Sequence, residues 1–176
     1  MQSVRIHAKG DVRVEVIDPP SLEPGAVLLG DGYTGICGSD LHIYFAPEAM
    51  AWDFTRPAEL NGAMWLQVMG HEFSGRVLAV ADDVVDVAVG DNVAIFPVHT
   101  CGKCSICRVS DGHSCRVLAM DGLQRRTGGM AEVKIVEAAN CFVLPETVDL
   151  KLGALVEPMA VAWRGVALSA PEWALS

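Results

Sequence analysis

Residues 101–115 read Cys-Gly-Lys-Cys-Ser-Ile-Cys-Arg-Val-Ser-Asp-Gly-His-Ser-Cys, which places four cysteines within fifteen residues. Four thiolates on so short a loop can surround one tetrahedral Zn²⁺ at about 2.3 Å per bond and leave no position open. The spacing therefore predicts a structural zinc lobe over about residues 99–117. Buried free thiols or a disulfide pair are the alternatives. The predicted ligands are Cys101, Cys104, Cys107 and Cys115.

Short strand-like segments flank this lobe on both sides. Residues 4–7 and 12–16 alternate polar and apolar side chains around a Lys-Gly-Asp turn, which is typical of a β-hairpin. From residue 149 to about 168, apolar residues recur at helical intervals instead. The sequence thus predicts a mainly β domain with one C-terminal helix, and a long irregular excursion over residues 44–69. Further strands are predicted at residues 26–29, 76–80, 92–98, 131–136 and 141–144.

Composition excludes several classes of protein. The chain has 176 residues, which suits one domain, and its 13 basic and 22 acidic side chains give a net charge of −9. That charge repels phosphate backbones and anionic lipid, so we expect neither a nucleic-acid-binding zinc ribbon nor a membrane-surface protein. No apolar run approaches the roughly 20 residues of a membrane span, and the N-terminus lacks the pattern of a signal peptide. We therefore expect a cytoplasmic protein with reduced cysteines.

A second set of metal-binding side chains lies on two other loops. Cys37-Gly-Ser-Asp-Leu-His42 follows a predicted strand, and Gly70-His-Glu-Phe-Ser-Gly75 precedes another. A catalytic zinc needs about three protein ligands and one exchangeable position, which a thiolate, an imidazole and a carboxylate can supply. Taken singly, a cysteine or histidine of this kind is more often a core or hydrogen-bonded residue, so spacing alone leaves both interpretations open.

Residues 30–35, Gly-Asp-Gly-Tyr-Thr-Gly, match the glycine pattern of dinucleotide-binding turns. That pattern binds pyrophosphate only where a helix starts in the turn within a βαβ unit. The following residues include glycines, a serine and an aspartate, which are poor helix formers, and no βαβ unit follows. We therefore expect a strand that ends in a glycine-rich turn, with no nucleotide bound there.

Several motifs in order resemble the medium-chain, zinc-dependent alcohol and polyol dehydrogenases, and in particular their N-terminal catalytic domain. The resemblance implies a GroES-like, partly open β-barrel with a zinc-binding lobe, and it is most similar to the butanediol and sorbitol branch. It covers nearly the whole chain. The matching stretches are residues 35–40, 70–75, 89–93, the four-cysteine lobe, 128–132, 144–145 and 155–158.

The resemblance implies a ligand set for the catalytic zinc. Cys37 and His71 match zinc ligands of the family, and Glu72 matches a carboxylate that ligates or moves in during exchange. Glu157 matches a residue that completes the shell or holds the metal's water, although a carboxylate on a helix face is the alternative. Asp40 matches an acid that orients the ligand histidine, although a helix-cap or turn role would also explain it. Two zinc ions per chain are therefore expected.

Ser39 and His42 match the proton relay of the family. The serine hydroxyl accepts the substrate's proton through a hydrogen bond, and imidazole exchanges protons with solvent near neutral pH. The alkoxide then loses hydride to a nicotinamide. We therefore expect oxidation of a small secondary alcohol, diol or polyol with NAD(P), in which Ser39, His42 and Glu72 act in catalysis.

The chain departs from the family in its length. We assign residues 1–176 to the catalytic domain, because only 19 residues follow Glu157 and neither a nucleotide-binding Rossmann domain nor the returning segment is present. Without the nicotinamide site this chain is expected to be inactive or nearly so. Uncovered sheet edges predict a homo-oligomer or a partner chain. The alternative is a non-enzymatic GroES-like zinc module for oligomerisation or partner binding.

A few reactive or aromatic side chains have no role in these hypotheses. A cysteine and three histidines are expected to be a core thiol and ordinary surface or hydrogen-bonded groups. Three aromatic residues in the irregular excursion could line a substrate or subunit surface, or cover the core. These residues are Cys141, His7, His99 and His113, and Trp52, Phe54 and Trp65.

Overall fold

The N-terminal hairpin anchors the smaller of two main sheets. A computed structural model describes residues 1–50, 52–110, 113–125 and 127–169 of the chain. Strand β1 (Gln2–Ala8) pairs antiparallel with β2 (Asp11–Val16) and, on its other side, with β4 (Gln67–Val68). Gly10, with φ of 74°, makes the turn between β1 and β2, as the alternation predicts.

The larger sheet has five antiparallel strands, which follow one another across the sheet in the order β10 (Cys141–Val143), β6 (Asn92–Ile95), β5 (Ser74–Val80), β3 (Ala26–Gly30) and β9 (Lys134–Glu137). One face of it buries an apolar core of valine, leucine, isoleucine and phenylalanine side chains, including Val27, Leu29 and Phe73. Together with the smaller sheet it makes the mainly β architecture that the sequence predicts.

Two strand predictions were wrong in their bounds. The predicted strand over residues 92–98 divides into β6 and a separate β7 (Val98–His99), because Pro97 cannot donate a ladder hydrogen bond. The predicted strand over 131–136 begins later, at Lys134. A short strand that pattern analysis did not predict, β8 (Ala119–Met120), pairs with β7 and closes the base of the cysteine lobe.

The prediction that no helix begins after the glycine-rich turn was also wrong. Helix α1 (Gly38–Phe45) begins there, and the Asp40 carboxylate accepts a hydrogen bond of 2.9 Å from the backbone N–H of Cys37. This cap offsets the poor helix propensity of Gly38 and Ser39. The rest of the argument against a dinucleotide turn is supported, because β3 pairs antiparallel with both of its neighbours and forms no βαβ unit.

The predicted C-terminal helix is interrupted. A short α2 (Leu150–Gly153) begins at Asp149, whose carboxylate accepts the N–H of Leu152, and α3 (Val156–Ser169) follows. Pro158 lacks the N–H that one continuous helix would need, but it is well tolerated in the first turn of a new one. None of the described helices is long and apolar enough to cross a membrane.

The irregular excursion over 44–69 covers a second apolar cluster beneath the small sheet. It contains a 3₁₀ turn, Pro47–Ala49, and ends in β4. Phe54 is buried against Ile6 and Ile43, and its ring stacks on Trp65 at a centroid distance of 5.1 Å. The aromatic residues of this segment therefore serve in part as core cover.

Candidate metal centres

Cys37 is held at the start of α1, beside the loop that follows β4. Gly35 donates a backbone hydrogen bond of 2.7 Å to the carbonyl oxygen of Glu72, and Thr34 forms a β-bridge with Phe73. These bonds join two loops whose metal-binding residues, Cys37 and His71, are 34 residues apart in sequence. The backbone therefore fixes the distance between the thiol and the second loop.

The second loop turns at a glycine that no larger residue could replace without strain. Gly70 has φ of 90°, and a Cβ on it would lie 2.5 Å from Cγ2 of Thr34 and 2.9 Å from Cγ of Met130. The turn brings His71 inward, where it is 3% exposed, and leaves Glu72 half-buried. Because the backbone at Gly70 comes so close to Thr34 and Met130, only glycine fits at the position before His71.

The two loops bring three predicted zinc ligands together. One ligand atom each of Cys37, His71 and Glu72 lies within 4.8 Å of the other two. A thiolate, an imidazole and a carboxylate satisfy the donor preferences of Zn²⁺ and leave a coordination position open. The side chains present therefore fit a metal ion with an exchangeable site.

Asp40 and His71 form a buried pair behind this cluster. Asp40 Oδ1 lies 3.9 Å from His71 Nδ1, and neither atom has a hydrogen-bond partner among the described residues. Burial raises the pKa of Asp40, while the N–H of Cys37 and the charge of His71 oppose that rise. Because Nδ1 is turned toward the carboxylate, Nε2 is the ring nitrogen left for a metal, and a small closure of the gap would satisfy both orphaned atoms.

Glu157 lies near the three ligands but outside their 4.8 Å group. It is half-buried in the first turn of α3, and its pKa is raised by burial and then by the charge of Glu72. In the described part of the chain neither carboxylate has an ion-pair partner. Two neighbouring carboxylates without a counter-charge fit a site that receives a cation.

The predicted relay residues lie at the same end of α1. Ser39 Oγ is 3.8 Å from Cys37 Sγ, and His42 is exposed one turn further along the helix. Positions three apart share a helix face, so the serine and histidine are suitably placed for transfer toward solvent. The described contacts include no direct hydrogen bond between them.

The four-cysteine cluster has the dimensions of a closed zinc site. Sγ–Sγ distances are 3.4 Å for Cys104–Cys107, 3.6 Å for Cys115–Cys101 and 4.0 Å for Cys101–Cys107. Tetrahedral bonds of about 2.3 Å place sulfurs about 3.8 Å apart. All four are free thiols, which excludes the disulfide alternative in this structure. The pKa of Cys104 is lowered to about 6, chiefly by a hydrogen bond from the backbone N–H of Cys107. Residues 111 and 112 of the lobe lie outside the described part.

Sequence patterns did not predict a charged network at the base of the lobe. His99, expected to be an ordinary surface or hydrogen-bonded histidine, is of the second kind: it is 5% exposed and lies between two carboxylates, with Nε2 2.9 Å from Asp121 and Nδ1 3.2 Å from Glu137. Burial lowers the pKa of His99, but hydrogen bonds to these two groups outweigh it and raise the pKa to about 8. Arg125 bridges the same two carboxylates, at 3.1 Å and 3.0 Å. No local motif links these residues, since they meet only through β7, β8 and β9.

Cys141 and His7 also fit the ordinary interpretation. Burial raises the pKa of Cys141 to about 12, so its half-buried thiol is unreactive near neutral pH. His7 Nε2 lies 2.9 Å from the Glu15 carboxylate. Neither residue is part of a described metal-binding group.

Comparison with known proteins identifies the family. Residues 23–146 match the family model "Alcohol dehydrogenase GroES-like domain". The chain belongs to that family. The (R,R)-butanediol dehydrogenase of Bacillus subtilis strain 168 is 37% identical over 164 residues, covering 92% of this chain and 45% of that protein. The GroES-like resemblance drawn from the motifs is thereby confirmed.

Solved structures agree with the sequence relatives. The crystal structure of 2R,3R-butanediol dehydrogenase from Bacillus subtilis superposes with a TM-score of 0.87 at 34% identity, covering 97% of this chain and 48% of that one. A protein from Sinorhizobium meliloti 1021, described as a zinc-binding dehydrogenase and bound to NADP, gives a TM-score of 0.82 at 30% identity, with coverages of 96% and 45%. The alcohol dehydrogenase domain therefore spans about half the length of the relatives it matches.

Proposed function

We propose that residues 1–176 form the zinc-binding catalytic domain of an NAD(P)-dependent dehydrogenase that oxidises a small secondary alcohol, diol or polyol. The observation that carries this proposal is the convergence of Cys37, His71 and Glu72 from two loops, within a chain of the alcohol dehydrogenase family. An open three-ligand group and a closed four-thiolate group in one chain are the arrangement expected of one catalytic and one structural metal.

The chain's own residues would divide the work of binding and orientation. Cys37, His71 and Glu72 would hold the catalytic ion, with Glu157 as the acid that completes the shell. Asp40 would fix the ring of His71 through Nδ1, which keeps Nε2 directed at the ion. When bound, zinc supplies Lewis acidity that lowers the pKa of an alcohol, and a nicotinamide supplies the hydride acceptor.

Ser39 and His42 would carry the proton away. Ser39 Oγ lies beside the Cys37 thiol, where it can accept a hydrogen bond from a substrate hydroxyl. His42 is exposed on the same face of α1 and can deliver the proton to water. This route leads from the metal-ligand group to the surface within one helical turn.

We propose that the nicotinamide is held by a separate domain or chain. Every described strand pair is antiparallel, so the described part of the chain offers no βαβ phosphate site. Helix α3 exposes several apolar side chains that suit contact with another unit, including Met159, Val161 and Trp163. Residues 1–176 alone should show little or no turnover, because hydride transfer needs the substrate carbon and the nicotinamide carbon held within reach of each other.

Zinc analysis with matched cysteine variants tests the two metal centres. We expect two zinc ions per folded chain, one in Cys37→Ser, and two in the control Cys141→Ser, whose thiol lies in neither group. Cys104→Ser should lose the lobe's zinc and its stability, because structural zinc contributes directly to folding. One zinc in the folded wild-type chain would refute the catalytic centre.

Cobalt substitution distinguishes a working site from a bare scaffold. Cobalt at the Cys37 centre should give a visible spectrum that shifts when butane-2,3-diol is added, because an open coordination position admits the hydroxyl. The spectrum of the closed four-thiolate site should not move. A spectrum insensitive to alcohols, with assembly unaffected by Cys37→Ser, would instead favour a non-enzymatic zinc module.

A further inference from the structure

Helix α3 carries Glu157 but is poorly anchored along its own length. None of the described residues of α3 is buried, and a cleft of about 550 Å³ separates it from the strands that carry Ile95 and Phe142. Helices in proteins are stabilised mainly by packing of one face, so a helix without a buried face depends on the segments that it joins. The position of Glu157, in the first turn of α3, therefore depends on what holds the segment before it.

That segment is the short helix α2, which packs closely on the start of strand β5. Gly153 and Ala154, at the end of α2, are both buried. A Cβ on Gly153 would lie 2.5 Å from Cδ1 of Leu144 and 3.1 Å from Cβ of Ser74, so the backbone of α2 approaches its neighbours as only glycine allows. Because Leu155 alone separates Ala154 from α3, the contact between α2 and β5 fixes where α3 begins.

A polar bond crosses this contact. Ser74 is 0% exposed, and its hydroxyl donates a hydrogen bond of 2.5 Å to the carbonyl oxygen of Leu150, the first residue of α2. The same carbonyl oxygen accepts the backbone N–H of Ala154 at 3.1 Å, so α2 is closed without the serine. The hydroxyl of Ser74 therefore joins α2 to β5 and does not complete α2 itself.

The serine is in turn fixed relative to the metal-binding loop. Ser74 begins β5 two residues after Glu72, and its backbone N–H donates to the carbonyl oxygen of Tyr33 at 3.0 Å. The carboxylate of Glu157 lies near that of Glu72 but outside the 4.8 Å ligand group. A continuous set of ordered contacts thus runs from Glu72 through Ser74 and Leu150 to the helix that carries Glu157.

We propose that Ser74 is a positioning residue, whose hydrogen bond to Leu150 sets how closely Glu157 approaches the open metal centre, an inference that rests on the proposed function. Ser74 is buried and is not one of the metal-binding residues, so it acts on a bound ion through Glu157. Removing a group that orients a metal ligand commonly weakens metal binding 10–100-fold. The open centre is the group of Cys37, His71 and Glu72.

The affinity of the open centre for cobalt, measured by visible absorption while zinc fills the four-cysteine lobe, tests this role. Ser74→Ala should weaken cobalt binding about tenfold, and Glu157→Gln should weaken it at least as much. Added to Glu157→Gln, the change Ser74→Ala should cause no further loss, because the serine acts through that carboxylate. The matched control Ser169→Ala removes another hydroxyl-to-carbonyl bond of 2.5 Å at the far end of α3, and it should bind cobalt as the wild type does.

Zinc retained in the four-cysteine lobe reports that each variant is folded. Unchanged cobalt affinity in Ser74→Ala overturns the proposal. An equal further loss when Ser74→Ala is added to Glu157→Gln, or loss of the lobe's zinc in Ser74→Ala, would mark a purely structural role and overturns it as well. Failure of the proposed function gives a different result, because the wild-type chain would then bind no cobalt at the open centre.

Discussion

The network at the base of the lobe contains a matched pair of carboxylates that differ in burial. Asp121 and Glu137 each contact a ring nitrogen of His99, at 2.9 Å and 3.2 Å, and both also pair with Arg125. The side chain of Asp121 is 1% exposed, whereas that of Glu137 is 51% exposed. The variants Asp121→Asn and Glu137→Gln neutralise one carboxylate each, so they compare a buried and a half-exposed contact between His99 and a carboxylate.

The expected costs follow from burial. Asp121→Asn leaves His99 facing a neutral group in a dry site, and removing one partner of a buried pair costs roughly 3–5 kcal/mol. The pKa of Glu137 is lowered from 4.5 to about 2, and the hydrogen bond from His99 is the largest cause. At 1.36 kcal/mol per pKa unit this corresponds to about 3.4 kcal/mol without screening, which solvent at a half-exposed group reduces to about 1 kcal/mol.

Urea denaturation at pH 7 in excess zinc, followed by tryptophan fluorescence, measures both variants against the wild type. We expect Asp121→Asn to lose at least twice the unfolding free energy that Glu137→Gln loses, with unchanged slopes. Equal losses, or a greater loss for Glu137→Gln, would show that burial does not govern this network and that the reasoning is wrong.

Two further predictions concern a buried cation and a glycine turn. Lys134→Met should raise the unfolding free energy by about 1–2 kcal/mol, because burial lowers the pKa of the Lys134 amine below 10.5 and so makes its charged form costly in the folded state. The wild type carries this cost of a buried charge at neutral pH and loses it as the pH rises toward 10.5. The urea midpoints of the two proteins should therefore converge near that pH. Gly70→Ala should lose one zinc per chain by elemental analysis, since its Cβ would strike Thr34, whereas Gly10→Ala, at φ of 74° with open space around it, should keep both ions and lose only backbone stability. Two zinc ions retained in Gly70→Ala would contradict the assigned geometry.

Motifs that act over a few residues were predictable from the sequence. The hairpin of β1 and β2, the start of β3 and the cysteine lobe depend on alternation, turn residues and close spacing, which local sequence specifies directly. The predicted ligands Cys37, His71 and Glu72 were nominated by motif, and their assignment as zinc ligands stays a prediction. Helix α1 was missed because propensity favoured a turn, while a side-chain cap from Asp40 reversed the balance.

The sequence by itself determined which metal-binding residue types the chain has. These are thiols at fixed intervals in the lobe, and a cysteine, a histidine and a glutamate on two short loops. Which of them meet was settled only by tertiary structure, because backbone bonds between Gly35 and Glu72 close a separation of more than thirty residues that no periodicity encodes. The same holds for His99 between Asp121 and Glu137. Burial and electrostatic partners arise from long-range packing, so the physical character of a polar side chain is known only once its neighbours are in place.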